Sequence, residues 1–313
     1  MMEKVYFSHD GGVDDLTSLL MLLRLEQKGE LELVGVGVVP ADCYIEPAVS
    51  ASQKMIQRFS KHHNLLLSQS DAKTNDPFPK EWRMQTFIVD ALPILNENQG
   101  GLPELSKNSA AVDLRHLLET THEPITLIFT GPVSDLGRVL SEKPSLIEKI
   151  KRLVVMGGTF EAGNIAEPEQ DGTAEWNVFW DPTAFDIVVK SGIQIEMVGL
   201  ESTRQVPLTP EIRLRWASKR QHELIDFVGQ MYATVPALTH FETNSTYYLW
   251  DVLTTLYAHN PSLGKQTTKN VVVHTSGPSR GRTEEKVNGN PLQFIYDVDH
   301  DAFFDYFDSL LID

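Results

Sequence analysis

The chain has a single cysteine, Cys43, among 313 residues, so no disulfide can form within it and the expectation is a structural thiol in a reducing compartment. No apolar run approaches the roughly eighteen residues that a membrane span needs. The opening M-M-E-K-V-Y-F-S-H-D carries an acid and lacks a long apolar stretch. These absences predict a soluble, cytoplasmic protein without membrane contact. Positive charge is scarce too: 27 Lys and Arg face 43 Asp and Glu, a formal net charge of -16, and there is no long basic run. That argues against nucleic acid as a partner and favours small-molecule chemistry. The ten histidines form no H-x-x-x-H or His/Cys spacing, so a borderline-soft metal such as zinc lacks its usual ligands. Internal repeats and low-complexity segments are also missing.

What the chain does have is alternation. Short apolar, β-branched runs at Leu33 to Val39, Ile125 to Phe129, Leu153 to Met156, Ile193 to Val198 and Val271 to Val273 are separated by helical patterns. This predicts an α/β fold, an open and mostly parallel sheet with helices on both faces. Nothing demands two folding units, so residues 1–313 read as one domain with long loops. Ala48 to Phe59 reads as a helix, and Asp181 with Pro182 begins another. A further helix is capped by Thr209, with Trp216, Leu224, Phe227 and Met231 as its core face. Asp71 to Gly101, rich in Pro, Asn and Asp, is neither a continuous helix nor a central strand.

The densest chemistry lies near the start. Val5, Tyr6 and Phe7 end a buried strand, Gly11 and Gly12 permit a sharp turn, and Leu16, Leu19, Leu20 and Leu23 recur at helical spacing. Asp10, Asp14 and Asp15 therefore crowd a strand-turn-helix junction, where ligands bind in open α/β sheets. One aspartate there is explained as a helix cap. Three need more, because carboxylates about 4 Å apart repel by roughly 4 kcal/mol at an effective dielectric near 20. A bound cation or a raised pKa must relieve this, and oxygen ligands point to Ca²⁺ or Mg²⁺. Other polar groups fall at strand ends and on loops. Asp42 follows the second strand, and Thr130 begins T-G-P-V-S-D, whose Ser134 is positioned to cap the next helix. Asn164, Glu175 and Asn177 lie on a long polar loop, and Asp251 starts a late apolar helix; loop polarity and capping are the simpler explanations, and their spacing does not identify a sugar site. Trp82 in D-P-F-P-K-E-W-R is either an anchor on the core or a ligand contact.

Taken together, these motifs resemble the nucleoside hydrolases, whose signature D-x-D-x-x-x-D-D turn holds a calcium ion; here Ser8 to Asp15 reads S-H-D-G-G-V-D-D. A-D-C at Ala41, P-F-P-K-E-W-R at Pro77, T-G-P at Thr130, V-M-G-G at Val155, D-G-T-A-E-W-N at Asp171 and Y-Y-x-W-D at Tyr247 look like the purine-specific, inosine-adenosine-guanosine-preferring branch. The resemblance implies calcium-dependent hydrolysis of purine ribonucleosides, a role in purine salvage, and a homodimer. It also implies roles by position. Asp10 is general base and calcium ligand, Asp15 and Asp251 are calcium ligands, and Thr130 gives its carbonyl. Asp14, Asn164, Glu175 and Asn177, with Met156, grip the ribose. Asp42, Trp82 and Trp250 hold the purine, with Tyr247 beside them, and stacking of Trp82 and Trp250 on the base assists its departure. Two departures stand out. Ser8 replaces the family's usual first aspartate, which touches support of the ion, and the segment H-F-E-T-N-S-T before Tyr247 is shorter than in the relatives and lacks their arginine. Three rivals remain: a magnesium phosphatase of the haloacid-dehalogenase kind, which Ser8 deprives of one of its aspartates, a non-catalytic nucleoside-binding protein, and a hydrolase of broader base range.

Overall fold

The computed structural model describes residues 2–62, 65–97, 100–233, 235 and 246–312. Its centre is one ten-stranded sheet in the order β4-β3-β2-β1-β5-β6-β7-β10-β8-β9. The strands are β1 (Glu3–His9), β2 (Leu31–Val38), β3 (Leu67–Gln69), β4 (Leu105–Ser109), β5 (Ile125–Phe129), β6 (Ile150–Met156), β7 (Ile195–Val198), β8 (Lys265–Val273), β9 (Thr283–Glu285) and β10 (Asn290–Tyr296). All pairings from β4 across to β10 are parallel. β8 and β9 close one edge as an antiparallel ribbon. This is the expected α/β fold, with an antiparallel edge of which only Val271 to Val273 was legible. β3, β4, β9 and β10 carry no sustained apolar run, and their place is set by pairing with neighbours.

The topology determines where a ligand binds. The chain leaves β1 for β2, β3 and β4 on one side, then returns to lay β5 on the other side of β1. Such a reversal opens a crevice at the carboxyl ends of the two diverging strands. Helix α1 (Val13–Lys28) rises from that crevice and is buried almost all round, from Val13 to Leu23. The reason is that it packs between the sheet and a second helix, Trp250–His259, whose Val252, Leu253 and Leu256 are fully buried. Two helix N-termini, each with acids in its first turn, thereby meet above β1 and β5.

Several local expectations change. The helix begun by Pro210 ends at Ser218, and Leu224, Phe227 and Met231 belong to a separate helix, Glu223–Ala233. A turn across Lys219 to His222, closed by the Lys219 and His222 N–H groups, redirects the chain so that both apolar faces reach the core. Ser134 is not a cap: its hydroxyl donates to Asp181 Oδ2 at 2.6 Å, and Val133 precedes the helix. The Asp71 to Gly101 stretch is broken as expected, into Trp82–Met84, Gln85–Asp90 and Pro93–Asn96.

Candidate active site

Five aspartates converge at the crevice. Asp10 ends β1, Asp14 and Asp15 lie in the first turn of α1, Asp251 lies in the first turn of Trp250–His259, and Asp42 follows β2. The first four are buried, between 1% and 6% exposed, and Asp42 is half-buried. Oxygens of Asp14, Asp15 and Asp251 lie within 4.8 Å of one another. Gly12 is small of necessity, because a Cβ there would lie 3.0 Å from Asp42 Oδ2, 3.1 Å from Asp15 Oδ2 and 3.3 Å from Asp14 Oδ1. The capping alternative for Asp15 is real: its carboxylate accepts from the Gly12 N–H at 2.8 Å, the Asp10 N–H at 3.3 Å and the Thr130 hydroxyl at 2.5 Å. Those bonds fix its orientation.

Burial and mutual repulsion push the pKa values of Asp10, Asp14, Asp42 and Asp251 upward. Asp10 is raised well above the ordinary carboxylate range by burial and then by Asp15, and Asp251 by burial and then by Asp14. Asp14 is pushed up to about 7 by burial and by Asp15, although the Tyr247 hydroxyl donates to its Oδ1 at 3.0 Å. Asp42 is raised by burial with only partial relief from Arg83, and its buried Oδ1 has no partner. A hard divalent cation relieves all of these costs together, and the all-oxygen donor set fits one.

On the lining of the same cavity, Glu175 caps the short helix Trp176–Trp180. Its carboxylate accepts from the N–H groups of Gly158 (2.9 Å), Asn177 (2.8 Å) and Val178 (3.2 Å). The Asn177 amide donates to the Thr130 carbonyl at 2.8 Å and lies 3.3 Å from Met156 Sδ. The Thr130 carbonyl is thus held in place by the Asn177 amide. Asn164 is exposed and lines the same cavity, held by its N–H donating to the Ala174 carbonyl at 3.0 Å.

The cavity measures about 560 Å³ and is lined by every residue the sequence marked as a site. Trp82 and Trp250 belong to two separate aromatic groups on its wall. Trp82 stands edge-on to Trp176 at 5.8 Å and to Phe78 at 6.3 Å, while Trp250 stands edge-on to Tyr247 at 4.6 Å and to Tyr248 at 5.7 Å. The Trp82 segment is seated by Thr86, whose hydroxyl donates to the Gly11 carbonyl at 2.6 Å, and by Arg83, which donates to the Cys43 carbonyl at 3.2 Å. Phe78, Gln85, Trp176, Leu200, Arg204 and Tyr248 also line the cavity without having been singled out. Phe78 and Trp176 had a signal, being large aromatics in turn-rich loops; Leu200 and Arg204 had none. His9 was missed too. It is fully buried beside Asp10, with Nε2 3.3 Å from Ser52 Oγ, and burial holds its pKa down at about 4. Of the segment before Tyr247, residues 240–245 lie outside the described residues.

Fold and site define an α/β protein whose switch-point crevice gathers buried carboxylates beside two aromatic groups. The chain matches the family model described as inosine-uridine preferring nucleoside hydrolase over residues 5–305, and it belongs to that family, a class of enzymes. It is 52% identical, with a TM-score of 0.93 and 99% coverage of both chains, to the solved inosine-uridine preferring nucleoside hydrolase from Bacillus anthracis. It is 43% identical over 151 residues to the pyrimidine-specific ribonucleoside hydrolase RihA of Shewanella oneidensis, 47% of this chain and 46% of that one. A match to the non-specific ribonucleoside hydrolase RihC of Escherichia coli, 39% over 102 residues, covers 33% of this chain and 32% of that one. The chain thus aligns with less than half the length of these two relatives. At 22% identity and a TM-score of 0.77, over 99% of this chain and 98% of that one, a purine-preferring ribonucleoside hydrolase from Gardnerella vaginalis shares the fold.

Proposed function

We propose that this chain hydrolyses the N-glycosidic bond of ribonucleosides, purine ribonucleosides in preference, to free base and ribose, with Ca²⁺ as its cation. The observation that carries this reading is one cavity lined together by buried carboxylates, by Asn164, Glu175 and Asn177, and by two aromatic groups. Hydrolysis passes through an oxocarbenium-like sugar, so it needs a positioned water, a grip on the ribose and an exit for the base. Asp15 and Asp251, with Asp10 and the Thr130 carbonyl, are the residues that would hold the ion, and Asp14 adds a further carboxylate beside them. When bound, the cation supplies a Lewis acid that orients water and sugar hydroxyls and lowers the water's pKa.

The protein's own groups do the rest. Asp10 takes the proton of the attacking water; its Oδ2 is oriented by the Asp42 N–H at 3.3 Å. Asn164 and Asn177, with the preset carboxylate of Glu175, read ribose hydroxyls. On the base side the lining residues are Phe78, Trp82, Trp176, Tyr248 and Trp250, and their rings favour a bicyclic base by overlap. A second reading, a broader base range, is favoured by the relatives named pyrimidine-specific and non-specific. The homodimer rests on the resemblance alone, and the cytoplasmic setting on the lone cysteine together with the lack of a long apolar run; light scattering tests the first.

The deciding experiment is hydrolysis of inosine and uridine with and without a chelator. The expected result is cleavage of inosine well above uridine, abolished by exhaustive chelation and restored by Ca²⁺. Equal rates on both substrates select the broader range, and full turnover after chelation overturns the cation.

A further inference from the structure

The turn of the β8–β9 ribbon, residues 274–282, lies outside the cavity yet grips both loops that build its walls. Arg280 presents its guanidinium fork to Asp76, with Nε 3.1 Å from Oδ2 and Nη2 2.5 Å from Oδ1. Its third nitrogen donates to the Glu169 carbonyl at 3.1 Å, and the guanidinium carbon lies 4.7 Å from the centre of the Phe179 ring. Asp76 stands two residues before Phe78 and six before Trp82, on the aromatic wall. Glu169 lies midway between Asn164 and Glu175, on the ribose side. The same turn adds backbone ties: the Asp171 N–H donates to the Pro278 carbonyl at 3.0 Å, and the Gln170 amide to the Arg280 carbonyl at 3.3 Å. Gly281, at φ 86°, lets the turn press in, since a Cβ there would lie 2.6 Å from Phe179 Cα. Arg280 and Asp76 are each about one quarter exposed, and a planar bidentate pair loses less entropy per bond than a flexible lysine pair.

We infer that Arg280 is a positioning residue, the clasp that fixes the Phe78–Trp82 wall against the Asn164–Glu175 loop and so sets the width of the cavity between base and sugar. It touches no substrate. The inference rests on the proposed reading of the cavity only for its kinetic consequence. A clasp shared by two loops has a signature that a merely stabilising surface pair lacks: its loss loosens both segments and spares the aspartates, which stand on β1, α1 and the helix Trp250–His259.

The test is backbone hydrogen exchange and nucleoside kinetics on Arg280→Ala, Asp76→Ala and the double variant. Expected in Arg280→Ala is faster exchange in both 74–84 and 161–175, with β1 and α1 unchanged. Expected in kinetics is a rise in KM for inosine on the order of 10-fold with Ca²⁺ affinity unchanged, and a double variant no worse than the singles, as one shared tie requires. Arg280→Lys, which keeps the charge without the fork, should restore less than half of the protection. Exchange that stays at wild-type rates in either segment, full rescue by lysine, or additive losses overturn the clasp. If both segments loosen but the wild type cleaves no nucleoside, the clasp stands and the reading of the cavity fails.

Discussion

At the scale of single residues, the proposed chemistry concentrates on Asp10 and on the two indoles. Asp10→Asn keeps the shape and the Asp42 N–H bond but cannot take a proton, so kcat for inosine should fall by about 10² to 10⁴. Steady-state rates with Ca²⁺ titrated separately will show it, and an unchanged kcat places the base elsewhere. In the proposed reading Trp82 and Trp250 act through the leaving group, by stacking on the purine rather than by proton donation from a side chain. Trp82→Ala and Trp250→Ala should lower kcat for inosine while a nitrophenyl riboside, whose aglycone leaves readily, loses much less. Equal losses on both substrates would make the tryptophans packing residues. Trp82 has packing partners in Phe78 and Trp176 and Trp250 in Tyr247 and Tyr248, so the comparison of substrates carries the decision.

At the scale of elements, the site is a set of strand ends and helix starts whose glycines bring backbones together. Gly131, just after β5, faces β1 so closely that a Cβ would lie 2.7 Å from Asp10 Cβ and 3.1 Å from Asp10 N. Gly131→Ala must therefore push Asp10 out of place, with an overpacking cost of about 1 to 3 kcal/mol. The expected outcome is a soluble protein with a moderately lowered Tm and a kcat for inosine reduced far out of proportion; calorimetry and kinetics on one preparation check it. Element boundaries were legible where periodicity was strong. The four leucines of α1 named its buried face, and Ile125 to Phe129 came out residue for residue as β5. The split between Pro210–Ser218 and Glu223–Ala233 was not legible, because the apolar spacing runs on in phase across the turn.

At the scale of the whole molecule, folding brings together aspartates that repel one another, and stability should record it. The carboxyls of Asp10, Asp42 and Asp251 are raised in the folded state, and Asp14 sits at about 7. A raised pKa means that the folded chain holds the proton more tightly than the unfolded one. The contribution of these groups is therefore complete below the ordinary carboxylate value of about 4, and the share that belongs to Asp14 is lost as pH rises through about 7. Chelated protein should show this loss as a falling contribution to Tm from about pH 5 to about pH 8, the window that brackets the Asp14 carboxyl. Ca²⁺, which binds the deprotonated folded form, should raise Tm more at the upper end than at the lower. Melting curves with and without Ca²⁺ across that range check it, and a cation effect larger at acid pH contradicts it.

The sequence by itself determined the α/β class, the strand-turn-helix around Asp10, and the order of motifs that carries the family, because each is encoded in local period, turn chemistry or contiguous residue type. It also named thirteen residues later found around one cavity, though not Gln85 or Arg204, which line it as well. Only the tertiary structure decided that they share it: Asp251 meets Asp14 because α1 packs on the helix Trp250–His259, and Asn177 meets Thr130 because the loop after β6 folds back over β5. Tertiary structure likewise decided that Glu175 is held by three backbone N–H groups and that Arg280 joins two loops some 110 to 200 residues away in the chain. Contacts of that separation leave no trace in local spacing, since what brings the residues together is sheet order and helix packing rather than any property of the segments themselves.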